Sequence, residues 1–411
     1  MAEKKTYSKI ITFRKKDKRK EKKLDKQEIL KKYLTTRMDF CDIVSLQDMG
    51  SVPLAFDGTA IGYDINLYDL PIISGAFTDS EIKAFQSDAN VEMVEDDLVA
   101  RAMPMAKPVD EQVAPVVQQA PVSVEDIPST LSEILPWGVN RIDSERAWNV
   151  TRGAGIRVAV IDTGIDARHK DLSPNFVGGA SFVPGESYMD GNGHGTHVAG
   201  IIGARQNGSG IVGVAPNCNL YAVKALNNSG QGSYSWIISA IIWCVRQKMD
   251  VINMSLGGPG HVQALQNACD YAFQNNILIV AAAGNSGPYD DTVQYPGRYD
   301  SVISVSAMDA SGNIAAFSSR GHQVDLTAPG VNILSTLPGN RFGIKNGTSM
   351  AAPHVTGAAA LTISSHRFTT AETIRRILLQ TADDMGISGR DNEYGHGLVD
   401  VEQSAFLRQL N

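Results

Sequence analysis

With 411 residues the chain can hold one large domain and a smaller one, and 43% hydrophobic against 20% charged residues is enough apolar material to pack a core in each. A net charge of −7 argues against a chain built as a whole to bind nucleic acid, and no apolar run approaches the ~20 residues of a membrane span. Cys41, Cys218, Cys244 and Cys269 include no CxxC pair, so neither a zinc knuckle nor a disulfide framework is expected; the last three sit among apolar neighbours and read as small core residues.

Residues 1–32 are crowded with Lys and Arg and poor in aromatics. They lack the apolar stretch of a secretory signal and read as a solvated, partly helical basic tail, with nucleic-acid or anionic-surface binding the weaker alternative. Residues 33–101 read as a small α+β unit. Tyr63-Asp64-Ile65-Asn66-Leu67 alternates as a half-buried strand does; Thr78-Asp79-Ser80-Glu81 is a capping box opening a short helix with Ile82 and Phe85 on one face; Val91-Glu92-Met93-Val94 is a second strand. Residues 104–131, rich in Pro, Val and Gln, form an extended linker.

From about residue 136 the pattern changes to near-continuous apolar runs at 158–161, 220–223, 251–254, 277–282 and 302–305, alternating with helical segments at 194–203, 234–248 and 262–275. Such runs belong to strands buried on both faces, so the expected fold class is α/β, a parallel sheet with helices on each side and its ligand site at the C-terminal strand ends.

The block Gly347-Thr348-Ser349-Met350-Ala351-Ala352-Pro353-His354 precedes a helical run at 350–365, with Pro353 expected in the first turn. Ser349 would lie at the helix N-terminus, beside unpaired backbone donors and the positive end of the dipole. A lone serine there is ordinarily an N-cap. Three further elements change that reading. Asp162 ends the buried strand 158–161. His194 opens a helix within Asn192-Gly193-His194-Gly195-Thr196-His197, where a His194/His197 metal pair is the rival. Asn285 follows the strand 277–282. Acyl transfer needs a nucleophile, a base, a group that fixes the base's tautomer, and an oxyanion donor. Ser349, His194, Asp162 and Asn285 supply one of each.

Those four elements, Asp162-Thr163-Gly164, His194-Gly195-Thr196-His197, Ala283-Gly284-Asn285 and Gly347-Thr348-Ser349-Met350-Ala351-Ala352-Pro353, resemble the subtilisin-like serine proteases (subtilases) in family order over roughly residues 130–405, nearer the true subtilisins than the proprotein convertases. The resemblance implies a three-layer subtilisin-like catalytic domain over 132–411, with Ser349 as nucleophile, His194 as base, Asp162 orienting it, and Asn285 with the Ser349 N–H as oxyanion donors. It implies a polypeptide substrate bound as an extended strand between Gly230-Gln231-Gly232 and Ser255-Leu256-Gly257. The first specificity pocket would be walled by Ser255-Leu256-Gly257 with Ala283, Gly284 and the segment 292–296. Gln294 would fill its floor and disfavour the largest P1 side chains.

Ca²⁺ is the implied cofactor. The side chains of Glu133, Asp171 and Asn207 and the carbonyls of Arg205, Ser209 and Ile211 would hold it, an oxygen-only set. Residues 33–103 resemble the family's inhibitory propeptide, clearest at Ser87-Asp88-Ala89-Asn90-Val91-Glu92-Met93-Val94-Glu95-Asp96, of ferredoxin-like fold. Residues 98–103 would then occupy the cleft and autocleavage would fall near Met103. The implied partners are polypeptide substrates and the chain's own propeptide, with no membrane and no nucleic acid, in a monomer. The family is exported while no signal peptide is visible, so the compartment stays open. A catalytically silent protein on a protease fold is the competing expectation.

Overall fold

The computed structural model describes residues 6–14, 72–102, 133–366 and 369–407. The expected strand at 63–67, Cys41 and the linker lie outside them.

The N-terminal unit is an antiparallel sheet of β1 (Thr6–Phe13), β2 (Ile72–Thr78) and β3 (Val91–Asp96), with α1 (Asp79–Ser87) between β2 and β3 in sequence. Strand order is β2-β1-β3. The expected capping box forms: Glu81 Oε2 accepts the Thr78 N–H at 2.7 Å, and Thr78 accepts from the Glu81 N–H. Phe85 of α1 meets Phe77 edge-on, with ring centroids 5.2 Å apart, and packs with Ile11 and Phe13.

The reading of residues 1–32 as a solvated tail fails for Thr6–Phe13, which is the central strand. Ile10, Ile11, Thr12 and Phe13 are buried. Ile11 and Phe13 face α1, whereas Ile10 on the opposite face, with Ile72, joins the apolar cluster of the larger domain. The basic composition around this β-branched run hid it. After β3 the chain enters β4 (Val99–Ala102).

The larger domain begins with the short helices α2 (Trp137–Arg141) and α3 (Ser144–Ala147), followed by β5 (Arg157–Asp162), β6 (Phe176–Ser181), α4 (His194–Gly203), β7 (Asn219–Lys224) and β8 (Gln231–Ser233). Next come α5 (Tyr234–Arg246), β9 (Val251–Met254), β10 (Leu256–Gly257), α6 (Gln263–Gln274), β11 (Leu278–Ala282), β12 (Val302–Met308) and β13 (Leu326–Pro329). A hairpin of β14 (Ile333–Leu337) and β15 (Arg341–Lys345) leads to α7 (Thr348–Ser365), α8 (Ala371–Gln380) and α9 (Val401–Phe406).

Seven of these strands form one parallel sheet in the order β13-β12-β11-β9-β5-β7-β6. Alternate residues go to opposite faces, and both faces are buried. Val158 and Val160 join the cluster containing α4 and α7; Ala159 and Ile161 join that of α5 and α6. This explains the near-continuous apolar strands, and each fully buried Val or Ile contributes ~1.5–3 kcal/mol. Cys218, Cys244 and Cys269 are buried and unpaired, the first in one layer and the other two in the opposite one. No helix of the described residues is long and apolar enough to cross a membrane.

Two carboxylates join the unit to the domain at helix N-termini. The N-cap of α6 is Val262, which has no side-chain acceptor; Glu95 supplies one, accepting from the N–H groups of Gln263 (2.7 Å) and Ala264 (3.0 Å). Asp97 accepts from the N–H of Ser235 in α5 at 3.0 Å and from its hydroxyl at 2.8 Å. Burial pushes the Asp97 carboxyl above the usual range, opposed by the Ser235 hydrogen bonds.

Candidate active site

Asp162, Ser255 and Asn285 stand at or just past the C-terminal ends of β5, β9 and β11, three central strands, while His194 and Ser349 open α4 and α7. A parallel sheet places all its C-terminal ends on one edge, so residues scattered over the sequence converge there.

Asp162 is fully buried. Its carboxylate receives the His194 Nδ1–H, at 2.8 Å to Oδ1 and 3.0 Å to Oδ2, and the Thr163 N–H at 2.7 Å. With Nδ1 as the donor, His194 presents an unprotonated Nε2, and that atom has no protein partner. The approach is close enough to require glycine at 195, where a Cβ would lie 2.1 Å from the Gly164 carbonyl oxygen.

A second carboxylate holds this turn. Asp190 accepts from Thr163 Oγ1 (2.9 Å), from the N–H groups of Asn192, Gly193 and Thr196 (2.8–2.9 Å), and from Thr196 Oγ1 (2.6 Å). Thr163 Oγ1 accepts in turn from the Gly195 N–H at 3.0 Å. The sequence reading missed Asp190 and Thr163; the Asp-Gly-Asn-Gly turn directly before His194 was the available signal. The metal-pair reading does not fit, because His197 turns away and its Nε2 lies 3.1 Å from the Ile333 carbonyl and 3.0 Å from that of Gly343.

Ser349 is not an N-cap. Gly347 is, and Ser349 lies inside the first turn with its N–H among the unpaired leading donors. Its hydroxyl donates to the Ser255 carbonyl at 3.1 Å. Asn285 Oδ1 accepts from the Thr348 N–H (3.0 Å) and Oγ1 (2.9 Å), and Thr348 Oγ1 accepts from the Gly284 N–H at 3.2 Å. The Asn285 amide is therefore oriented by its oxygen, with Nδ2 turned toward Gly347, where a Cβ would lie 3.2 Å from it. Pro353, expected in the first turn, sits in the second, since α7 already starts at Thr348.

The proposed substrate strands are both present and already filled. β4 runs antiparallel between β8 and β10, pairing Ala100 with Gly232, Arg101 with Gln231 and Gly257, and Ala102 with Leu256; the Ala102 N–H donates to the Gly230 carbonyl at 2.8 Å. Glycine at 232 is demanded from behind, where a Cβ would lie 2.0 Å from the Ala225 carbonyl oxygen. Beside Ala283, Gln294 donates its backbone N–H to that residue's carbonyl at 2.8 Å. Its side chain packs against Gly284 and donates to Ser286 Oγ at 3.1 Å.

The six oxygen-bearing residues from the sequence reading also come together. Glu133 Oε1 accepts from the N–H groups of Asn207 (2.6 Å) and Gly208 (3.0 Å). Asp171 accepts from Asn207 Nδ2 (3.2 Å) and the Ile211 N–H (2.9 Å), and its own carbonyl takes the Arg205 N–H at 2.7 Å. Ser209 donates to Asn207 Oδ1 through its N–H and hydroxyl. Burial pushes the Asp171 carboxyl up, and nearby Glu133 adds to this. Among the described residues no three His, Cys, Asp or Glu side chains converge on a metal site; the side-chain oxygens brought together here are those of Glu133, Asp171 and Asn207.

The model of the subtilase family (peptidase S8) matches residues 153–397, a span that contains Asp162, His194, Asn285 and Ser349. The chain belongs to the subtilase family. It is 50% identical over 278 residues to subtilisin DY of Bacillus licheniformis, covering 67% of this chain and 100% of that one. Against subtilisin E of Bacillus subtilis (strain 168) it is 46% identical over 309 residues, 73% of this chain and 80% of the other. It is also 47% identical over 276 residues to an alkaline protease of Alkalihalobacillus alcalophilus, 67% of this chain and 70% of that protein. This subtilase is a serine-type endopeptidase, which leaves the silent-scaffold expectation without support.

Proposed function

We propose that this subtilase cleaves peptide bonds with Ser349 as nucleophile, and that it is made as a zymogen whose N-terminal unit is its first substrate and inhibitor. The observation carrying the first part is the buried Asp162–His194 pair, which commits Nδ1 and leaves Nε2 to accept a proton. Ser349 Oγ attacks the scissile carbonyl while its proton passes to His194 Nε2. The C–N bond then breaks, the proton goes to the leaving amine, and water hydrolyses the acyl-enzyme by the same route. Asp162 stabilises the imidazolium. The oxyanion is held by Asn285 Nδ2 and the Ser349 N–H, donors fixed before the reaction by Thr348 and by the helix start.

A fluorophosphonate probe should label Ser349. Ser349→Ala should lose ~10⁶ in turnover; a Ser349→Ala protein that still cleaves peptides would overturn the assignment.

The zymogen reading is supported by β4, whose main-chain pairing between β8 and β10 is the one an extended substrate would use. The expected cut near Met103 falls directly after β4 in the sequence, since that strand ends at Ala102. The Ser349→Ala protein should stay uncut, and N-terminal sequencing of the active enzyme should place the first cut near Met103. The packing of Gln294 against Gly284 supports a shortened first specificity pocket. A strong preference for P1 Phe over smaller residues in a peptide library would refute that.

Calcium is the proposed cofactor of the loop 205–211. The side chains of Glu133, Asp171 and Asn207 and the carbonyls of Arg205, Ser209 and Ile211 form an oxygen-only set of the kind Ca²⁺ takes, and the two neighbouring carboxylates fit a divalent cation. Its role there is to brace the loop. At ~100 times its dissociation constant it adds about 2.7 kcal/mol. EDTA should lower the melting temperature and added Ca²⁺ restore it; no change on chelation would rule the site out.

A further inference from the structure

Pro353 creates a problem in the helix that carries the nucleophile. In an α-helix the N–H of residue 353 would bond to the carbonyl of residue 349. Proline has no N–H, and its ring crowds that carbonyl. The orphaned acceptor is therefore the Ser349 carbonyl, in a residue only 1% exposed. A buried carbonyl without a partner is costly, and here a swing of the orphan would also turn the groups carried on the same Cα.

The Ser255 side chain fills the gap. Its Oγ donates to the Ser349 carbonyl at 2.8 Å, and it is itself held: Asn253 Nδ2 donates to Ser255 Oγ at 3.0 Å, and Thr356 Oγ1 donates to Asn253 Oδ1 at 2.8 Å. The Thr356 hydroxyl also lies 3.1 Å from the Ala352 carbonyl. Ser255, Asn253 and Thr356 are all fully buried. A hydroxyl has one proton. With the Asn253 amide donating to its oxygen, the Ser255 proton is directed to the Ser349 carbonyl.

We infer that the Ser255 hydroxyl is a positioning residue for the nucleophile: it replaces the helical hydrogen bond that Pro353 removes, and Asn253 and Thr356 hold it in the donor orientation. With the carbonyl anchored, rotation about the Cα–C bond of Ser349 is fixed, and the hydroxyl and N–H on that Cα keep their aim. This role is separate from the Ser255 backbone's place in the cleft wall. It rests on the reading of Ser349 as nucleophile.

The test is a double-mutant cycle on the processed enzyme with a peptide substrate, comparing wild type, Ser255→Ala, Pro353→Ala and the double variant. Ser255→Ala should lower kcat about tenfold and leave KM within about twofold. In Pro353→Ala the residue at 353 regains an N–H for the Ser349 carbonyl, so adding Ser255→Ala should change kcat by less than about twofold. An equal loss in both backgrounds would mean that Ser255 acts through the cleft wall, and no loss in either would mean that the hydroxyl positions nothing; each overturns the inference. Thr356→Val, nearly isosteric, keeps the test available if Ser255→Ala does not fold. It should lower kcat about threefold beside Pro353 and be silent beside alanine, and the same small effect in both backgrounds would count against the relay. A wild-type enzyme not labelled at Ser349 by the fluorophosphonate would sink the nucleophile assignment; labelling at Ser349 without coupling to Pro353 would sink the positioning role alone.

Discussion

The two sheets bury their faces differently. The parallel sheet is covered by its own helices, with Val158 and Val160 under α4 and α7 and Ala159 and Ile161 under α5 and α6. Among the described residues one helix packs on the N-terminal sheet: Ile11, Phe13, Phe77 and Phe85 close that side, while Ile10 and Ile72 pack into the cluster of α5 and α6. Glu95 and Asp97 extend the same dependence, because their partners are N–H groups of the other domain. Both faces of the larger sheet are thus covered from within its own domain, whereas the described part of the smaller sheet shares one face with its neighbour. On the proposed zymogen reading, folding and inhibition of the small unit would draw on the same contacts, so an N-terminal unit that leaves the enzyme would also lose part of what keeps it folded.

The largest test of this contrast is Phe85→Ala in the uncut Ser349→Ala chain. Removing a buried aromatic costs ~3–5 kcal/mol, a large share of a unit this small. Hydrogen exchange should show residues 72–102 losing protection while the parallel sheet keeps its own. Equal losses in both regions would mean the two fold as one.

Acid should act in the opposite sense, on the larger domain. Burial holds His197 well below the usual histidine value and His354 at about 4. Both stay neutral in the fold and protonate near 6.5 once unfolded, so the unfolded state binds the extra protons. Stability is then full above pH 6.5 and falls as pH drops, by ~1.4 kcal/mol per unit for each histidine. For His354 the fall ends at about 4, where the folded state protonates too. Urea melts of the catalytic domain should show this slope, and His354→Gln should remove its part. A flat profile between pH 6 and 4.5 would contradict it.

The smallest expected effect is at the junction. Asp97→Ala and Glu95→Ala each remove a helix cap supplied from across the boundary, at ~0.5–2 kcal/mol. Inhibition by an added N-terminal unit should weaken by that amount while the melting temperature of the catalytic domain barely moves. A fall in that melting temperature with undiminished inhibition would mean that the carboxylates support the domain and not the docking.

Legibility in the sequence followed the range of the forces involved. The five apolar runs became strands because burial on both faces leaves a continuous apolar trace, and the capping box at Thr78 formed because its partners are three residues apart. β6, with Gly178 and Gly179 in an edge position, and β13, ending in Pro329, carry no such trace and went unseen. β1 was lost in a basic stretch: its Ile10–Phe13 core makes sense only beside β2, whose first residue is Ile72, and β3.

The sequence by itself determined the sheet's core strands and the family, and it named Asp162, His194, Asn285 and Ser349, the residues on which the proposed chemistry rests, since each depends on local pattern or on motifs whose spacing is covalent. Only the tertiary structure decided that β1 belongs to the N-terminal sheet, that Glu95 and Asp97 cap helices of the other domain, and that Ser255 mends the helix which Pro353 interrupts. Ser255 and the Ser349 carbonyl are 94 residues apart in the chain and 2.8 Å apart in space. A hydrogen bond of that kind is set by how two elements pack, and no periodicity along the chain records it.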